Sequence, residues 1–345
     1  MDLSVIVPAR NERACLGACL GSLVAQSDDG WKLGQQWELI VVDDGSTDET
    51  PAIAARFAGV TVLDAPPIPK GWTGKANALW MAAQQAKGAW LLFTDADTVH
   101  EAGDLRRALH EAEKHKVAML SYSPRQIVRG FWQRALMPLV FSELSLAYPP
   151  AKVSDPESRL AAANGQFLLL SRDAYFEIGG HEAVAQSILE DVDLAYLVKR
   201  RKLGLRFRYA PDALSAHMYR SFWQMCEGWT KNLALLFGNP LITAAWKVLD
   251  IALLVGLPVL AWYYPWPISA STPWITARLV LLLIWVRTLW RFYRRVQKSN
   301  FPFGDCLLSV FGLPLFVWLL WKSWFDHTVT KRVAWKGREY SGGNR

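Results

Sequence analysis

The sequence predicts an α/β domain with a mostly parallel central sheet, followed by transmembrane helices at the C-terminus. Two observations indicate this division. Over the first 210 residues, short apolar runs rich in β-branched residues alternate with helical stretches, which is typical of βαβ units. Residues 241–345 are apolar and basic, with 13 basic and 4 acidic residues and 10 of the 18 Trp, whereas residues 1–240 hold 25 basic and 27 acidic residues.

The elements of the α/β part follow one another in regular order. Apolar, β-branched runs predict strands at residues 3–7, 38–44, 60–65, 89–95, 117–124, 165–171 and 205–210. Helices are predicted up to about Val24, over Lys75–Lys87, and over 188–202, where acids open the helix and bases close it. Another helix is predicted with Thr47 or Asp48 as its N-cap and Pro51 in its first turn.

The C-terminal part contains three apolar segments, at 242–264, 274–292 and 303–325. The first two are long enough to cross a hydrocarbon core of about 30 Å. The loop between them is uncharged and the loop after them is basic, which places the first outside and the second inside. The third segment either crosses fully or bends at Gly312–Pro314 into a hairpin, and the basic residues after it favour the hairpin.

These patterns predict four regions along the chain. They are an α/β domain at 1–218, an amphipathic interface helix at 219–240, a membrane region at 241–330 and a basic tail at 331–345. The N-terminal run “LSVIVP” is too short for a signal peptide, so we expect the catalytic domain on the cytoplasmic face of the inner (plasma) membrane, in a multi-pass protein. A basic, Trp-rich, apolar region indicates a membrane partner rather than nucleic acid.

Acidic residues gather where two predicted strands end. Asp95 and Asp97 follow the apolar run 90–93, and Asp43 and Asp44 close “ELIVVDD”. Like charges so close repel each other, so solvent or a cation must offset them. Two carboxylates at a strand end suit Mg²⁺ or Mn²⁺ carrying a diphosphate, although so short a motif also occurs in surface turns and helix caps. The sheet edge where strands end is where such folds bind ligands.

Three further groups are candidates for chemistry. Glu190 and Asp191 either open a helix, where acids are favourable, or supply a general base for an attacking hydroxyl. Lys75 either meets a phosphate as a point charge or is a solvated lysine at a helix start. The stretch around it is not a P-loop, because Pro69 and Ala76 replace the required Gly and Ser/Thr.

The motifs as a set resemble those of family 2 glycosyltransferases with a GT-A fold, over roughly residues 1–210. They are “VIVPARNE”, “VVDDGSTDET”, “GKANAL”, “FTDADT”, “NGQFLLLSRDAYFEIGGHE” and “LEDVDLA”. The resemblance implies transfer of a sugar, with inversion, from a nucleotide-diphosphate sugar, with Mg²⁺ or Mn²⁺ as cofactor.

The same resemblance implies roles for individual residues. In the donor site it implies Pro8, Arg10, Glu12 and Lys75, with Asp43 and Asp44 at the base and ribose, Asp95 at the ribose or metal, and Asp97 on the metal. Asp191 is implied as the catalytic base, with Glu190 as the alternative. The acceptor region is implied to include Asn164, Gly165, Gln166, Gly180, His181 and Trp229.

The region after the catalytic domain departs from one branch of the family. Processive polysaccharide synthases carry Q/R-x-x-R-W on an interface helix, and “RSFWQMCEGWTKN” lacks that motif. “GWTKN” is instead similar to glycosyltransferases associated with carotenoid and hopanoid pathways. We therefore expect transfer of one sugar to a membrane lipid with a hydroxyl or carboxyl group. The alternatives are a processive polysaccharide synthase and a non-catalytic membrane protein that binds nucleotide sugars.

Overall fold

A computed structural model describes residues 1–28, 30–263, 272–335 and 337–341. The strands are β1 Leu3–Ala9, β2 Trp37–Asp43, β3 Val60–Asp64, β4 Trp90–Phe93, β5 Thr98–His100, β6 Met119–Ser123, β7 Arg125–Gln126, β8 Leu168–Ser171, β9 Leu205–Tyr209, β10 Leu214–Ala216, β11 Arg332–Trp335 and β12 Arg338–Ser341. The helices are α1 Leu16–Val24, α2 Thr50–Ala54, α3 Gly74–Gln85, α4 Asp104–His115, α5 Gly130–Ala147, α6 Pro150–Ser154, α7 Arg172–Glu177, α8 Gly180–Ala183, α9 Glu190–Arg200, α10 Phe222–Leu236, α11 Pro240–Ile251, α12 Leu257–Tyr263, α13 Thr272–Val296, α14 Phe303–Cys306 and α15 Ser309–Phe325.

The chain forms two compact units. The first comprises Met1–Ile127 and Tyr148–Met218, and the second comprises Val128–Ala147 and Tyr219–Arg345. The segment 128–147, which lies within the predicted catalytic domain, thus belongs to the second unit. The interface and membrane roles assigned to regions of the sequence stay predictions.

A seven-stranded sheet organises the first unit, in the order β3-β2-β1-β4-β8-β6-β9. Neighbouring strands are parallel except where β8 pairs antiparallel with β4 and β6, so the predicted mostly parallel sheet is confirmed. Alternate residues of β1 serve two cores: Val5 packs with the core that includes α1 and α4, and Ile6 packs with the core that includes α3 and α9. Both faces of the sheet are therefore covered.

Two local predictions in the first unit differ from the structure. The second helix begins at Thr50 with Glu49 as its N-cap, rather than at Thr47 or Asp48. The Asp48 carboxylate is not an N-cap but accepts the Thr50 N–H, while Pro51 lies in the first turn as expected. A second, three-stranded sheet of the short strands β5, β10 and β7 was not predicted, because runs of two or three residues carry no measurable periodicity.

The second unit is helical. The first apolar segment forms α11, a π-helical stretch at Ala252–Gly256, and α12; its last residue, 264, lies outside the described residues. Within the described ranges, one helix, Pro240–Trp262, is long and apolar enough to cross a membrane. The second segment lies inside α13, and the tail forms the β11–β12 hairpin.

The third apolar segment does not break where expected. Helix α15 runs without interruption from Ser309 to Phe325 and carries Pro314 within it. The break instead falls at residues 307–308, between α14 and α15. Gly312 brings the helix close to α5, since a Cβ there would lie 2.1 Å from the Ala135 carbonyl oxygen. The glycine therefore permits close packing of the two helices.

A buried ion cluster joins three helices of the second unit. Lys247, with a side chain only 2% exposed, lies 2.6 Å from the Glu143 carboxylate and 3.2 Å from that of Asp250. Arg295 contacts the same two carboxylates. Two positive and two negative charges thus balance each other around a buried lysine, and Lys247 depends on the two carboxylates for neutralisation.

Removing one member of this cluster should destabilise the second unit. Lys247→Ala leaves Glu143 and Asp250 sharing one cation, and breaking a buried pair costs about 3–5 kcal/mol. Lys322, whose i,i+4 pair with Asp326 is more exposed, is the matched control, and Lys322→Ala should lose about 0.5 kcal/mol. Denaturant unfolding in detergent measures both, and equal losses would contradict a buried network.

Candidate active site

The predicted site residues come together because parallel strands end at one edge of the sheet. In register, Ala9 of β1 lies beside Asp43 of β2, and Ile6 lies beside Phe93 of β4. The loops that follow these three strands carry residues 10–12, 44–48 and 94–97. A cleft at this edge contains seven of the predicted residues and is lined by Pro8, Lys75, Leu79, Phe93, Thr94, Asp95, Gly165, Leu168, His181, Glu190 and Asp191.

Lys75 is the cation that pairs with the carboxylates of this cleft. Its Nζ lies 2.8 Å from Asp95 Oδ1 and 2.8 Å from Glu190 Oε1. Burial by itself would lower the pKa of Lys75, but Asp95, Glu190 and Asp191 raise that pKa well above the usual value. The lysine therefore stays charged and holds carboxylates from two distant parts of the sequence.

Asp191 is a buried carboxyl of the cleft with a raised pKa. Its Oδ2 accepts the Gly165 N–H at 2.7 Å, and its Oδ1 accepts the Val192 N–H at 2.8 Å. Burial and then the neighbouring Glu190 raise its pKa to about 6, against the opposing effects of Lys75 and the two N–H donors. A carboxyl with such a pKa exchanges a proton close to neutral pH.

Gly165 is needed at this point because the chain passes very close to the charged groups. A Cβ at residue 165 would lie 3.0 Å from Lys75 Nζ and 3.5 Å from Asp191 Oδ2. A side chain there would thus crowd the lysine that pairs with Asp95 and Glu190. The backbone N–H of a residue without a side chain can bind the Asp191 carboxylate directly.

The loops after β1 and β2 hold the other predicted donor residues. Arg10 donates to the Asp44 carbonyl oxygen at 3.0 Å and lies 4.0 Å from its carboxylate. Asp43 Oδ2 accepts the Ser46 N–H, while its buried Oδ1 has no partner among the described residues. The Glu12 carboxylate accepts a hydrogen bond from the Cys15 thiol at 3.0 Å. Asp43 Oδ1 is thus an acceptor oxygen without a hydrogen bond from the described residues.

Asp97 lies next to the cleft in the loop after β4. The Gln166 amide nitrogen is 3.4 and 3.5 Å from its two carboxylate oxygens, and Gln126 fixes Gln166 through a 2.8 Å bond. No group of three or more His, Cys, Asp or Glu within the described ranges is arranged to hold a metal ion by itself. Asp95 and Asp97 offer carboxylate oxygens, and Mg²⁺ or Mn²⁺ is commonly held by one or two carboxylates plus substrate phosphates.

The acceptor-region candidates fall into different environments. His181 is buried, its Nδ1 lies 2.8 Å from the Tyr175 hydroxyl, and burial lowers its pKa to about 3, so the ring is neutral. Gly180 takes a positive φ, and a Cβ there would lie 2.6 Å from Tyr175. Asn164 accepts the Gln166 N–H through its side chain. Trp229 belongs to the second unit, where it is buried against Met137, and its acceptor role stays a prediction.

Two supporting residues escaped the sequence analysis. His100 Nδ1 lies 2.6 Å from Asp104 Oδ2, and both side chains are fully buried. His100 Nε2 reaches the hydroxyls of Thr94 and Thr98, and Thr98 in turn donates to the Asp95 carbonyl at 2.8 Å. This network holds the turn that presents Asp95 and Asp97. The four-residue spacing of His100 and Asp104 was the only signal for this pair in the sequence. That spacing does not distinguish a buried pair from one on the surface.

Fold and site together define a nucleotide-sugar-dependent transferase of the GT-A fold. A mannosyltransferase from Pyrobaculum calidifontis, solved in complex with GDP-Man and Mn²⁺, has a similar fold, with a TM-score of 0.51, 17% identity, and coverage of 95% of this chain and 87% of that chain. The chain belongs to the family described as Glycosyl transferase family 2, whose sequence model matches residues 4–179. It is therefore a glycosyltransferase, as the sequence motifs predicted.

Similar proteins of assigned activity cover nearly the whole chain. The 4,4'-diaponeurosporenoate glycosyltransferase of Staphylococcus aureus strain MRSA252 is 28% identical over 98% of this chain and 88% of its own length. The protein of the same name in strain bovine RF122 / ET3-1 is 27% identical over 99% of this chain and 88% of its length. The similarity thus extends through the helical second unit as well as the family 2 region.

The charge of Asp191 should lower stability at neutral pH. The folded-state pKa of Asp191 is about 6, above the ordinary value of 3.8, so the folded protein favours the protonated form of this carboxyl. The contribution of Asp191 to the free energy of unfolding is therefore fully present below pH 3.8 and is lost as pH rises through 6. Asp191→Asn retains an acceptor for the Gly165 N–H without the charge. The melting temperature of the variant, measured from about pH 4 to about pH 8, should therefore increase relative to that of the wild type as pH rises. Parallel curves would contradict this assignment.

Proposed function

We propose that this glycosyltransferase moves one sugar, with inversion, from a nucleotide-diphosphate sugar to a hydroxyl of a membrane lipid. The observation that carries the proposal is the Asp191 carboxyl, whose pKa of about 6 places a proton acceptor in the same cleft as Lys75 and Asp95. The acceptor oxygen forms a bond to the anomeric carbon as the bond from that carbon to the diphosphate breaks. The hydroxyl proton passes to Asp191.

Asp191 is a better base than Glu190 on the contacts that each makes. Glu190 Oε1 is 2.8 Å from the Lys75 ammonium, so this carboxylate is already engaged in an ion pair. Asp191 is instead held by two backbone N–H groups that orient it. We therefore assign Asp191 as the base and Glu190 as the residue that positions Lys75.

The donor is assigned to the loops after β1, β2 and β4. The unpartnered Asp43 oxygen suits a hydroxyl or amide of the nucleoside, and Arg10 and Lys75 offer positive charge. Asp95 and Asp97 would hold Mg²⁺ or Mn²⁺ together with the diphosphate, and the ion would offset the charge of the leaving group. The Mn²⁺ bound to the Pyrobaculum mannosyltransferase is consistent with this cofactor.

The lipid acceptor and the membrane are supported by two findings. The Staphylococcus relatives are named for an acceptor that is a carotenoid acid. Large apolar side chains of the second unit face outward, including Trp246, Trp262 and Leu283 at 62%, 80% and 68% exposure. We propose that α11–α12 and α13 are spans and that the catalytic unit faces the cytoplasm. The basic end of α13 fits the inner side.

The first test of this proposal is the base. Asp191→Asn should reduce turnover by about 10²–10⁴-fold with little change in donor affinity, because the base meets the acceptor rather than the nucleotide. Asp193→Asn on the same helix is the control and should keep its turnover. Turnover by Asp191→Asn equal to that of the wild type would instead indicate a carboxylate acceptor, which is already ionised and requires no base.

The metal assignment is tested separately. Asp97→Asn should abolish transfer and weaken Mn²⁺ binding in the presence of nucleoside diphosphate, because a single remaining carboxylate holds the ion poorly. Electron paramagnetic resonance measures the binding, and thermal unfolding should be unchanged. EDTA should abolish transfer by the wild type, and either ion should restore it. Asp173→Asn, an exposed acid on α7, is the control. Full activity in EDTA would rule out the metal role.

A further inference from the structure

A five-residue pattern occurs twice in the second unit. Residues 129–133 read “RGFWQ” and residues 220–224 read “RSFWQ”. Each copy opens a long helix, α5 or α10, and uses the same local bond. The Arg129 N–H donates to Gln133 Oε1 at 2.7 Å, and the Arg220 N–H donates to Gln224 Oε1 at 2.8 Å. Two segments far apart in sequence thus present Phe and Trp in the same local setting.

The two copies meet through their aromatic rings. Trp132 lies 5.4 Å from Phe222, Phe131 lies 5.0 Å from Trp132, and Trp223 lies 5.1 Å from Phe222, measured between ring centroids. Phe311 of α15 extends the row, 6.1 Å from Phe131. These five rings, from three helices, form a continuous aromatic patch: Phe131, Trp132, Phe222, Trp223 and Phe311.

The aromatic patch is exposed. Phe131 and Trp132 are 45% and 44% exposed, Phe311 is 61% exposed and Trp223 is 74% exposed. Exposed apolar surface of this kind marks an interaction site, since folding gains nothing from leaving such rings in water. Trp and Phe are also residues that favour the boundary between lipid chains and headgroups.

Charge and continuity indicate what covers the aromatic patch. Arg129 and Arg220, each two residues before a Phe-Trp pair, are both exposed, and guanidinium groups bind lipid phosphates well. Phe311 lies on α15, which packs on α11, the helix that can cross a membrane. The patch therefore lies in the same unit as the helix that can cross a membrane, and one of its helices packs on that helix.

We propose that the aromatic patch is a second membrane contact, seated in the headgroup region of an anionic bilayer, with Arg129 and Arg220 at the phosphates. This inference rests on the proposed membrane association only for the presence of a bilayer. It assigns a membrane role to residues 129–132, which stand in the middle of the catalytic sequence. The start of α5 would then insert at the surface where a lipid acceptor resides.

The test places a fluorescent label in the patch of the full-length protein in nanodiscs. All four cysteines are buried, so Phe131→Cys and Trp223→Cys can be labelled selectively with an NBD dye. Both labels should emit at shorter wavelength than the same dye in aqueous buffer. They should be quenched by lipids carrying a nitroxide near the headgroup more than by lipids carrying one at the chain end, because interfacial rings lie about 5–10 Å into the boundary.

Controls separate this proposal from the proposed spans. A label at Glu113→Cys, exposed on α4 of the first unit, should stay unquenched, and a label at Leu283→Cys on α13 should be quenched by chain-end nitroxides. Unquenched labels at 131 and 223 with a quenched label at 283 would overturn the aromatic patch and leave the spans. Quenching at 131 and 223 without quenching at 283 would support the patch and overturn the span at α13.

The arginines are tested in the same system. Arg129→Gln combined with Arg220→Gln should reduce quenching in discs that contain phosphatidylglycerol and should have little effect in phosphatidylcholine discs. Added salt should mimic the double variant, since screening weakens attraction to surface charge. Equal quenching of both proteins in both lipids would overturn the phosphate contact.

Discussion

The site depends on one cation that holds three carboxylates together. Asp95 comes from the end of β4, and Glu190 and Asp191 come from the start of α9, where they would repel each other without a partner. Lys75, at the start of α3, lies 2.8 Å from two of them, and the three carboxylates raise the pKa of Lys75. The lysine therefore links a strand end and two helix starts, and the cleft forms between these elements.

In the proposed function, the same balance would make the cleft responsive to a diphosphate. An incoming anion would compete with Asp95 and Glu190 for Lys75, and a divalent ion would compensate the carboxylates that the lysine leaves. The network of His100, Asp104 and the two threonines fixes the backbone of the Asp95–Asp97 turn meanwhile. A rigid turn with exchangeable charge partners is suited to binding and releasing a charged donor.

The second unit obeys the opposite physical rule. Its buried lysine, Lys247, is compensated by Glu143 and Asp250, which also contact Arg295, while many of its large apolar side chains face outward. In water such a surface is costly, and in a bilayer it is favourable. A lipid acceptor and a soluble donor require a protein with both kinds of surface.

The sequence by itself determined much of the local structure and named seven of the residues that line the cleft. Apolar β-branched runs predicted the strands of the main sheet, and carboxylates at their ends predicted the cleft, because both depend on near neighbours in the chain. The motif set indicated the family before any fold was known. The three-stranded sheet, the start of α2 and the uninterrupted α15 were missed or wrong, since short elements and prolines within helices are decided by packing. Only the tertiary structure decided that Lys75 joins Asp95 to Glu190, that His100 and Asp104 are buried together, and that residues 128–147 belong to the second unit. The physical reason is that these pairings join residues distant in sequence, and their energies depend on burial that no local pattern encodes.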